Sequence, residues 1–347
     1  MKKHTYIIGE IGQNHNGSAD IAKLIIDLAS RKPKDDLFGR DLQAMDAVKL
    51  TKRDLRCELT NSAMQKPYDS PHSFGKTYGE HRAHLELSNE EHYECYKHAK
   101  EKGLDFVETL CAIGCLDLLK LFTPDRLKVA SRDLTNIPLL EAMAETKIPM
   151  ILSTGMANKE DLDRALNSVT RYHSHISILH CLSEYPAQYH NINLNTIRYL
   201  KEHYGAYTIG YSDHSVGIMM PTAAVAMGAE IIEKHITIDR ELKGTDQRGS
   251  LAPNGIFRMV RDIRILELSM GEEKLFRSND IEATRKKLER SIASKRTIKK
   301  GEIITLKDLH LLSPGNGYRW AEKEEVIGKE AVIEIPENEL ILTKHIR

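Results

Sequence analysis

Short apolar runs rich in β-branched residues alternate along the chain with longer stretches that carry helix start signals, such as Ser88 followed by Glu91. Such alternation predicts a parallel sheet built from βα units. The predicted strands are Tyr6–Gly9, Ala47–Leu50, Asp105–Glu108, Leu127–Ala130, Pro149–Leu152, Ile176–His180, Tyr207–Gly210 and Glu230–Glu233. This number is typical of a (β/α)8 TIM barrel, whereas a doubly wound sheet usually has about five or six strands. We therefore predict an α/β fold with a barrel over residues 1–270.

The composition changes after residue 270. A charged segment, residues 271–289, is predicted to be a linker, and residues 290–347 contain short strand-like runs separated by turn signals. This last part is predicted to be a small β-rich domain. Because a small domain buries proportionally less surface than a large one, we expect it to dock onto a barrel, either its own or that of a partner.

The overall charge and the length of the apolar runs exclude several classes of protein. The chain has 50 basic and 50 acidic residues, so it lacks the positive charge of a nucleic-acid or anionic-membrane binder. The first residues show no secretion signal, and the apolar runs are shorter than the ~18 to 20 residues that span a bilayer. We expect a soluble, cytoplasmic protein with no nucleic-acid or membrane partner.

The cysteines argue against a disulfide framework. There are five, an odd number without a CxxC pattern, which favours a reducing compartment. Metal ligation by Cys111 and Cys115 is an alternative, but small buried hydrophobic residues are the favoured interpretation.

A long polar segment, residues 51–87, interrupts the alternation after the second strand. It is rich in proline, tyrosine, histidine and glycine. Loops of this length are usually functional lids or disordered segments, and in a barrel the loop after a strand opens on the catalytic face. We expect a lid.

Polar residues end or follow the predicted strands, on the side where TIM barrels carry their active sites. They are Glu10, Lys49, Thr109, Lys128, Ser131, Asp133, Ser153, Thr154, His180, Ser183, Tyr185, Ser212, Asp213, His214, Glu233 and His235. Buried charges are costly unless they are paired, so this ring indicates a charged or polyhydroxylated ligand. The two lysines favour an anion, although salt bridges with Glu10 and Glu108 are an alternative.

The histidines fall into two groups. His214 and His235 end neighbouring strands, so their imidazoles can share a divalent ion with water in the remaining positions. Imidazole ligands leave manganese, cobalt, iron and zinc open. His92, His98 and His203 lie on predicted helices and are interpreted as surface residues.

The strand-end residues occur in motifs that resemble those of the sialic acid synthases, which condense phosphoenolpyruvate with an N-acylated mannosamine-type sugar. The matching segments are residues 8–12 (IGEIG), 14–17 (NHNG), 48–49 (VK), 127–131 (LKVAS), 151–156 (ILSTGM), 179–181 (LHC), 185–186 (YP), 209–215 (IGYSDHS) and 232–235 (IEKH). The tail, with IKKGE at 298–302 and PGNG at 314–317, looks like the antifreeze-like (SAF) domain of this family. In the family this domain is exchanged between subunits, which implies a domain-swapped homodimer.

Carried over position by position, the resemblance implies roles for individual residues. The phosphoenolpyruvate contacts fall on Lys49, Thr109, Lys128, Ser131, Ser153, Ser183 and Ser212. The metal ligands fall on His214 and His235, and the implied ion is manganese, with magnesium or cobalt as alternatives. The acyl-sugar contacts fall on Glu10, Tyr185 and Asp246, and Asp133 falls near the reacting carbons.

Some positions depart from the family pattern. Thr51 stands where the family usually has glutamine, Ser183 where it has asparagine, and Ser313 where it has arginine before the PGNG motif. Because that arginine reaches the sugar of the neighbouring subunit, the resemblance leaves the acceptor open to related sugars.

The resulting hypothesis is a synthase in which C3 of phosphoenolpyruvate attacks the open-chain aldehyde of an aldose, giving a 3-deoxy-2-ulosonic (nonulosonic) acid and phosphate. Lys49 and Lys128 hold the anionic groups, and a metal on the two histidines polarises the carbonyl. Glu10, or alternatively Asp133, transfers the proton. The rival hypotheses are a Schiff-base pyruvate aldolase, with one of the lysines as nucleophile, and a non-catalytic sugar-binding protein.

Overall fold

The computed structural model describes residues 4–347 of the chain. The chain separates into two compact units, one that ends at Gly271 and one that comprises Glu272–Arg347. Within the described residues, no helix combines the length and the apolar character needed to cross a membrane.

The first unit contains a closed barrel of eight parallel strands. The strands are β1 (Tyr6–Gly12), β2 (Ala47–Lys52), β3 (Asp105–Leu110), β4 (Arg126–Val129), β5 (Met150–Ser153), β6 (Ile176–Cys181), β7 (Thr208–Asp213) and β8 (Ile231–His235). The barrel closes because β1 pairs with β8, from Tyr6 opposite Ile231 to Glu10 opposite His235. All the predicted strands are present, so the predicted TIM barrel is confirmed.

Helices connect the strands and pack against them. They are α1 (Ala19–Ala29), α2 (Leu55–Glu58), α3 (Asn61–Met64), α4 (Tyr78–His84), α5 (Asn89–Glu101), α6 (Ile137–Glu145), α7 (Lys159–Val169), α8 (Asn195–His203), α9 (Met219–Ala226) and α10 (Pro253–Ser269). A 3-10 helix, Ile113–Lys120, joins β3 to β4. The start signal at α5 is a capping box, because Ser88 and Glu91 each accept the backbone N–H of the other.

Two layers of apolar side chains surround the strands. Inside the barrel a small cluster is formed by Ile8, Ala47, Val107, Ile151, Leu179 and Ile231. A larger cluster fills the space between the strands and the helices. Because successive residues of a strand point to opposite faces, the residues two positions after the inner cluster face the barrel interior as well.

The predicted lid segment, residues 51–87, is a folded part of the first unit and contains α2, α3 and α4. Thr77 and Glu80 form a capping box at the start of α4. The end of α4 contacts the loop after β1, where Gly17 has a φ of 77° and a Cβ would collide with the carbonyl oxygen of His84. This backbone contact holds α4 against the barrel.

Side chains between α5, β3 and the following turn test two further predictions. His92 was interpreted as a surface residue, which is wrong: its side chain is fully buried, and its Nδ1 lies 3.1 Å from Oε2 of Glu108. Glu108 therefore pairs with a histidine and not with a lysine.

Cys111 and Cys115 are buried, and burial raises the pKa of the two thiols to about 11 and about 12, as expected of small buried hydrophobic residues.

The second unit has a core and a small antiparallel sheet of its own. The sheet pairs β9 (Ser291–Ser294) with β10 (Leu309–Leu312). The core consists of Ile292, Ile298, Ile304, Leu309, Val326, Ala331, Ile335 and Ile341. A short helix, α11 (Glu282–Leu288), belongs to this unit, since Gly315 N–H donates to the carbonyl oxygen of Lys286. Part of the predicted linker, residues 271–289, is thus built into the second unit.

Candidate active site

A cavity of about 400 Å³ opens at the carboxyl ends of the barrel strands. This volume lies in the range of small-molecule sites. The predicted site residues that line it are Glu10, Lys49, Thr109, Lys128, Ser131, Ser153, Ser183, Tyr185, Ser212, His214, His235 and Asp246. Further lining residues are Glu233, which was predicted only as a member of the polar ring, and Thr51, Arg53, Arg82, Arg132 and Cys181, which were given no individual role.

The floor of the cavity is the second interior layer of the barrel. Each residue of the inner apolar cluster is followed, two positions along its strand, by a residue of the cavity. These cavity residues are Glu10, Lys49, Thr109, Ser153, Cys181 and Glu233. The barrel interior therefore changes from apolar to mostly polar over two residues of each strand, a distance of about 7 Å.

Lys49 lies among carboxylates in this floor. Its Nζ is 2.6 Å from Oε2 of Glu10 and 3.8 Å from Oε1 of Glu233, and it donates to Oγ1 of Thr109 at 3.1 Å. Burial alone would lower the pKa of the ammonium, but the two glutamates outweigh burial and raise the pKa. Lys49 therefore keeps its positive charge. The predicted alternative, a salt bridge with Glu10, is present.

Lys128, on β4, also reaches this floor and has fewer charged neighbours. Its Nζ donates to Oγ of Ser153 at 2.6 Å and lies 3.7 Å from Oε1 of Glu233. Burial lowers the pKa of Lys128, and the attraction of Glu233 only partly opposes this. Glu233 thus lies between the two lysines and contacts both.

The two glutamates of the floor have opposite pKa shifts. Burial raises the pKa of Glu10 to about 7, against the attraction of Lys49. Burial would also raise the pKa of Glu233, but Lys128 and Lys49 together lower it to about 2. Ser212 donates to Oε1 of Glu233 at 3.0 Å. Glu10 can therefore exchange a proton near neutral pH, while Glu233 stays ionised.

Hydroxyl groups converge on Gly155, which follows β5. A Cβ at this position would lie 2.5 Å from Oγ of Ser183, 2.8 Å from Oγ of Ser131 and 3.0 Å from Sγ of Cys181. The N–H of Gly155 donates to Ser131 at 3.1 Å. The missing side chain leaves a cradle of hydrogen-bonding groups next to Lys128 that suits an oxyanion.

The two predicted metal ligands face each other, with ring centroids 5.5 Å apart. His214 Nδ1 donates to the carbonyl oxygen of Leu182 at 2.7 Å, which leaves the lone pair on Nε2. Nδ1 of His235 is buried and has no hydrogen-bond partner in the described chain. Burial lowers the pKa of His235 to about 4, so its ring is neutral at physiological pH. Burial would lower the pKa of His214 as well, but its contacts with Cys181 and with the carbonyl oxygen of Leu182 outweigh burial and raise the pKa. A metal on Nε2 of His214 would therefore compete with a proton.

An ion pair between the residues directly before these two histidines links β7 to β8. Asp213 and Lys234 are opposite each other in the pairing of β7 with β8, and Nζ of Lys234 lies 2.6 Å from Oδ2 of Asp213. Because His214 and His235 follow them, this pair sets the relative height of the two imidazoles. Across residues 4–347, no cluster of three or more histidine, cysteine, aspartate or glutamate side chains has the arrangement of a metal site. Water and substrate would supply the other ligands.

Comparison with known proteins gives the family. A model of the NeuB family matches residues 42–275, and a model of the SAF domain matches residues 289–347. The chain belongs to the NeuB family. It is 33% identical, over 97% of its length, to N-acetylneuraminate-9-phosphate synthase from Homo sapiens and covers 91% of that protein. It is also 33% identical to N,N'-diacetyllegionaminic acid synthase from Legionella pneumophila, over 98% of this chain and 94% of that protein.

A solved structure agrees with this NeuB-family assignment. N-acetylneuraminic acid (sialic acid) synthetase from Leptospira borgpetersenii, crystallised in complex with citrate, matches with a TM-score of 0.66 at 32% identity, covering 81% of this chain and 90% of that one. The resemblance to the sialic acid synthases and the antifreeze-like tail are therefore confirmed.

Among the residues of this NeuB-family chain that were given individual roles, Asp133 is the one that does not line the cavity. Thr154, His180 and Asp213, which were predicted only as members of the polar ring, do not line it either. Asp133 ends a 3-10 turn, and its Oδ2 accepts from Nε of Arg132 at 3.2 Å. Arg132 also donates to Oε2 of Glu58 at 2.8 Å, which Arg53 approaches at 3.2 Å. The carboxylate is thus held in a largely buried network whose arginines, Arg53 and Arg132, line the cavity, and its catalytic role stays a prediction.

Sequence reasoning missed the role of Glu233 and the arginines of the cavity. The signal for Glu233 was present, since a residue two positions before His235 on the same strand faces the same interior. Arg53 and Arg82 lie in the segment after β2, which has no regular pattern, so only its tertiary packing brings them to the cavity.

Proposed function

We propose that this NeuB-family chain is a sugar acid synthase that condenses phosphoenolpyruvate with the open-chain aldehyde of an N-acylated mannosamine-like or related aldose. The products are a 3-deoxy-2-ulosonic acid and inorganic phosphate. One observation carries the proposal: two buried lysines in the cavity floor share Glu233, with Nζ atoms 3.8 and 3.7 Å from its Oε1. A dianionic ligand can bind between two such ammonium groups.

The donors of the floor match the two anionic ends of phosphoenolpyruvate. Lys49 and Lys128 supply charge, and Thr109, Ser153 and the hydroxyls around Gly155 supply hydrogen bonds. Charge-assisted hydrogen bonds are roughly twice as strong as neutral ones. Donors already fixed in a buried floor can each contribute about 3 to 4 kcal/mol when charge moves in the transition state.

The reaction forms one carbon–carbon bond, and at C2 it exchanges the bond to the phosphate oxygen for a bond to a water oxygen. C3 of phosphoenolpyruvate attacks the aldehyde carbon, and the aldehyde oxygen takes a proton and becomes a hydroxyl. Water adds at C2 and releases one proton. The new C2 hydroxyl then loses its proton to the departing phosphate as the bond between C2 and the phosphate oxygen breaks, which leaves a ketone at C2. Glu10 is the favoured group for these proton transfers, because it lines the cavity and burial brings its pKa to about 7.

His214 and His235 are the residues that would hold a divalent ion, with manganese favoured and magnesium or cobalt as alternatives. The fixed tautomer of His214 and the unpartnered Nδ1 of His235 support this assignment. When bound, the ion would supply Lewis-acid polarisation of the aldehyde carbonyl.

Release of inorganic phosphate tests the proposal. The protein is incubated with phosphoenolpyruvate and a panel of N-acylated hexosamines and plain aldoses, with manganese or with a chelator. We expect sugar-dependent release that the chelator abolishes and that Lys128→Met lowers about 100-fold. The exposed Lys159 provides a control, since Lys159→Met leaves the rate unchanged. Absence of release with every sugar, or release that does not depend on sugar, would refute the proposal.

The lowered pKa of Lys128 favours one rival, a Schiff-base pyruvate aldolase, because such a nucleophile must be a neutral amine. Borohydride in the presence of pyruvate would then add mass at this lysine, and chelator would have no effect. A non-catalytic sugar-binding protein would bind without phosphate release, and His235→Ala would leave its binding unchanged.

We also propose that the protein is a homodimer in which the SAF-domain units are exchanged between subunits. The small core of this unit supports the proposal, because a domain of its size gains stability by docking. Light scattering should give twice the chain mass of 39.4 kDa. A monomer at the concentrations of the activity assay would contradict it.

A further inference from the structure

One cation of the cavity has no carboxylate partner. The cationic side chains that line the cavity are Lys49, Arg53, Arg82, Lys128 and Arg132. All except Arg82 have a carboxylate oxygen at 3.7 Å or less. In the described chain Arg82 forms no ion pair. Because a half-buried charge is stabilised by a counter-ion, the cavity lacks one anion that a ligand can supply.

The guanidinium of Arg82 is anchored by one nitrogen only. Its Nε donates to the hydroxyl of Tyr78 at 2.8 Å, and its central carbon lies 5.0 Å from the centroid of the Tyr78 ring. Both terminal nitrogens are therefore free. A planar guanidinium that presents its terminal nitrogens is suited to bidentate binding of a phosphate or a carboxylate.

The helix that carries Arg82 is held in place before any ligand binds. The ring of His81 packs on Tyr68 and Phe74, with centroid distances of 4.7 and 5.9 Å. The capping box at the start of α4 and the backbone contact of its end with Gly17 fix both ends of the helix. Preorganisation of this kind lowers the entropy cost of binding.

Several positively charged side chains lie around α4. Lys243, from the loop after β8, lies 4.8 Å from the centroid of Phe74. Burial and then the charges of Arg82, His84 and Lys243 lower the pKa of His81 to about 4. Asp246 lines the same cavity, but its Oδ1 accepts from Thr245 at 3.0 Å and it forms no ion pair with Arg82. The region therefore attracts an anion.

The position of Arg82 assigns this anion to the sugar. The lysines and hydroxyls of the floor belong to strands, whereas Arg82 belongs to the insert after β2. We propose that Arg82 binds an anionic substituent, a phosphate monoester or a carboxylate, at the end of the acceptor sugar remote from its aldehyde. This inference rests on the proposed function, in which the lysines and hydroxyls of the floor bind phosphoenolpyruvate and the aldehyde lies near the two histidines, so that Arg82 is left for the remote end of the sugar.

The test compares acceptors that differ only in this substituent. Phosphate release is measured with a neutral N-acylhexosamine, its 6-phosphate and the corresponding 6-carboxylate. The wild-type protein should have the highest kcat/KM with one of the anionic acceptors. Arg82→Gln should lower kcat/KM for that acceptor about 10- to 100-fold, change the neutral acceptor less than about 3-fold and leave the KM of phosphoenolpyruvate unchanged. The comparison of the two anionic acceptors distinguishes phosphate from carboxylate.

Two further variants separate charge from folding. Arg82→Lys keeps the positive charge but loses the planar guanidinium, so its kcat/KM for the anionic acceptor should lie between those of the wild type and Arg82→Gln. Arg56, an exposed arginine of the same insert, is the matched control, and Arg56→Gln should behave as the wild type does. A wild-type preference for the neutral acceptor, or an equal loss with every acceptor, would overturn the inference while the proposed function stands. Absence of phosphate release with every acceptor would refute the proposed function itself.

Discussion

Replacement of Lys234 by methionine will remove one half of an ion pair that has no contact with solvent. Lys234 and Asp213 are both 0% exposed, and 2.6 Å separates their charged atoms. The carboxylate of Asp213 also accepts from the hydroxyl of Tyr211 at 2.8 Å and from the N–H and hydroxyl of Ser215 at 3.0 Å. The ammonium also donates to the carbonyl of Ser215. In the variant, these neutral donors alone will face the buried carboxylate.

Loss of one partner of a buried ion pair typically costs about 3 to 5 kcal/mol. Because three neutral hydrogen bonds to Asp213 remain, we expect the lower end of that range for Lys234→Met. A matched comparison is the pair of Lys159 with Asp163, which has a similar distance of 2.5 Å but exposed fractions of 53% and 38%. Its removal should cost about 0 to 1 kcal/mol. The two pairs differ mainly in burial, so burial decides the outcome.

Urea unfolding measures both variants. Far-UV circular dichroism is the suitable signal, because the single tryptophan, Trp320, lies in the second unit, whereas Lys234 and Lys159 lie in the first. With an m value of about 2 kcal/mol/M, Lys234→Met should lower the midpoint by about 1 to 2 M and Lys159→Met by less than about 0.5 M. The double variant Lys234→Met/Asp213→Asn should recover part of the loss. Equal midpoints for the two lysine variants, or no recovery in the double variant, would refute the electrostatic argument.

Three further changes have defined outcomes. Gly155→Ala should fill the hydroxyl cradle and lower kcat/KM for phosphoenolpyruvate about 100-fold without loss of Tm, whereas Gly249→Ala, which meets no atom within 4 Å, should be neutral. Burial lowers the pKa of His15 to about 3, so when the pH falls the unfolded chain is protonated before the folded one. The free energy of unfolding should therefore decrease by about 2 kcal/mol between about pH 7 and pH 5, and by less in His15→Gln. In urea unfolding, Gly17→Ala should lower the free energy of unfolding by about 1 to 3 kcal/mol more than Gly103→Ala does. Gly103 also has a positive φ, 76°, but open space around it, so equal losses would exclude the collision of Gly17 with α4.

The barrel and the floor of its cavity were predictable because both follow from strand alternation. Apolar residues such as Ile8 and Ala47 mark the interior face, and the polar residues two positions later, Glu10 and Lys49, must face the same interior. The carboxyl ends of parallel strands meet at one edge, so residues distant in sequence share a cavity. The same logic extends to Glu233, which the sequence interpretation left without a role.

The features that escaped prediction depend on packing between segments without a regular pattern. His92 lies on a helix rich in charged residues, and nothing local shows that its side chain faces Glu108 inside the unit. Arg82 reaches the cavity only because α4 contacts the loop at Gly17 and because Tyr78 holds its Nε. Such contacts join residues far apart in sequence, and neither periodicity nor propensity encodes them.

Under the proposed function, the unequal placement of the lysines lets one floor both hold an anion and move a proton. Both ammonium groups approach Glu233, which keeps its charge and holds the lysines side by side, whereas only Lys49 approaches Glu10 closely. A dianionic substrate between the lysines will draw Lys49 away from Glu10 and add negative charge beside it. Both effects favour protonated Glu10, so in the proposed reaction binding of the anion would prepare this carboxyl group to donate its proton to the aldehyde oxygen.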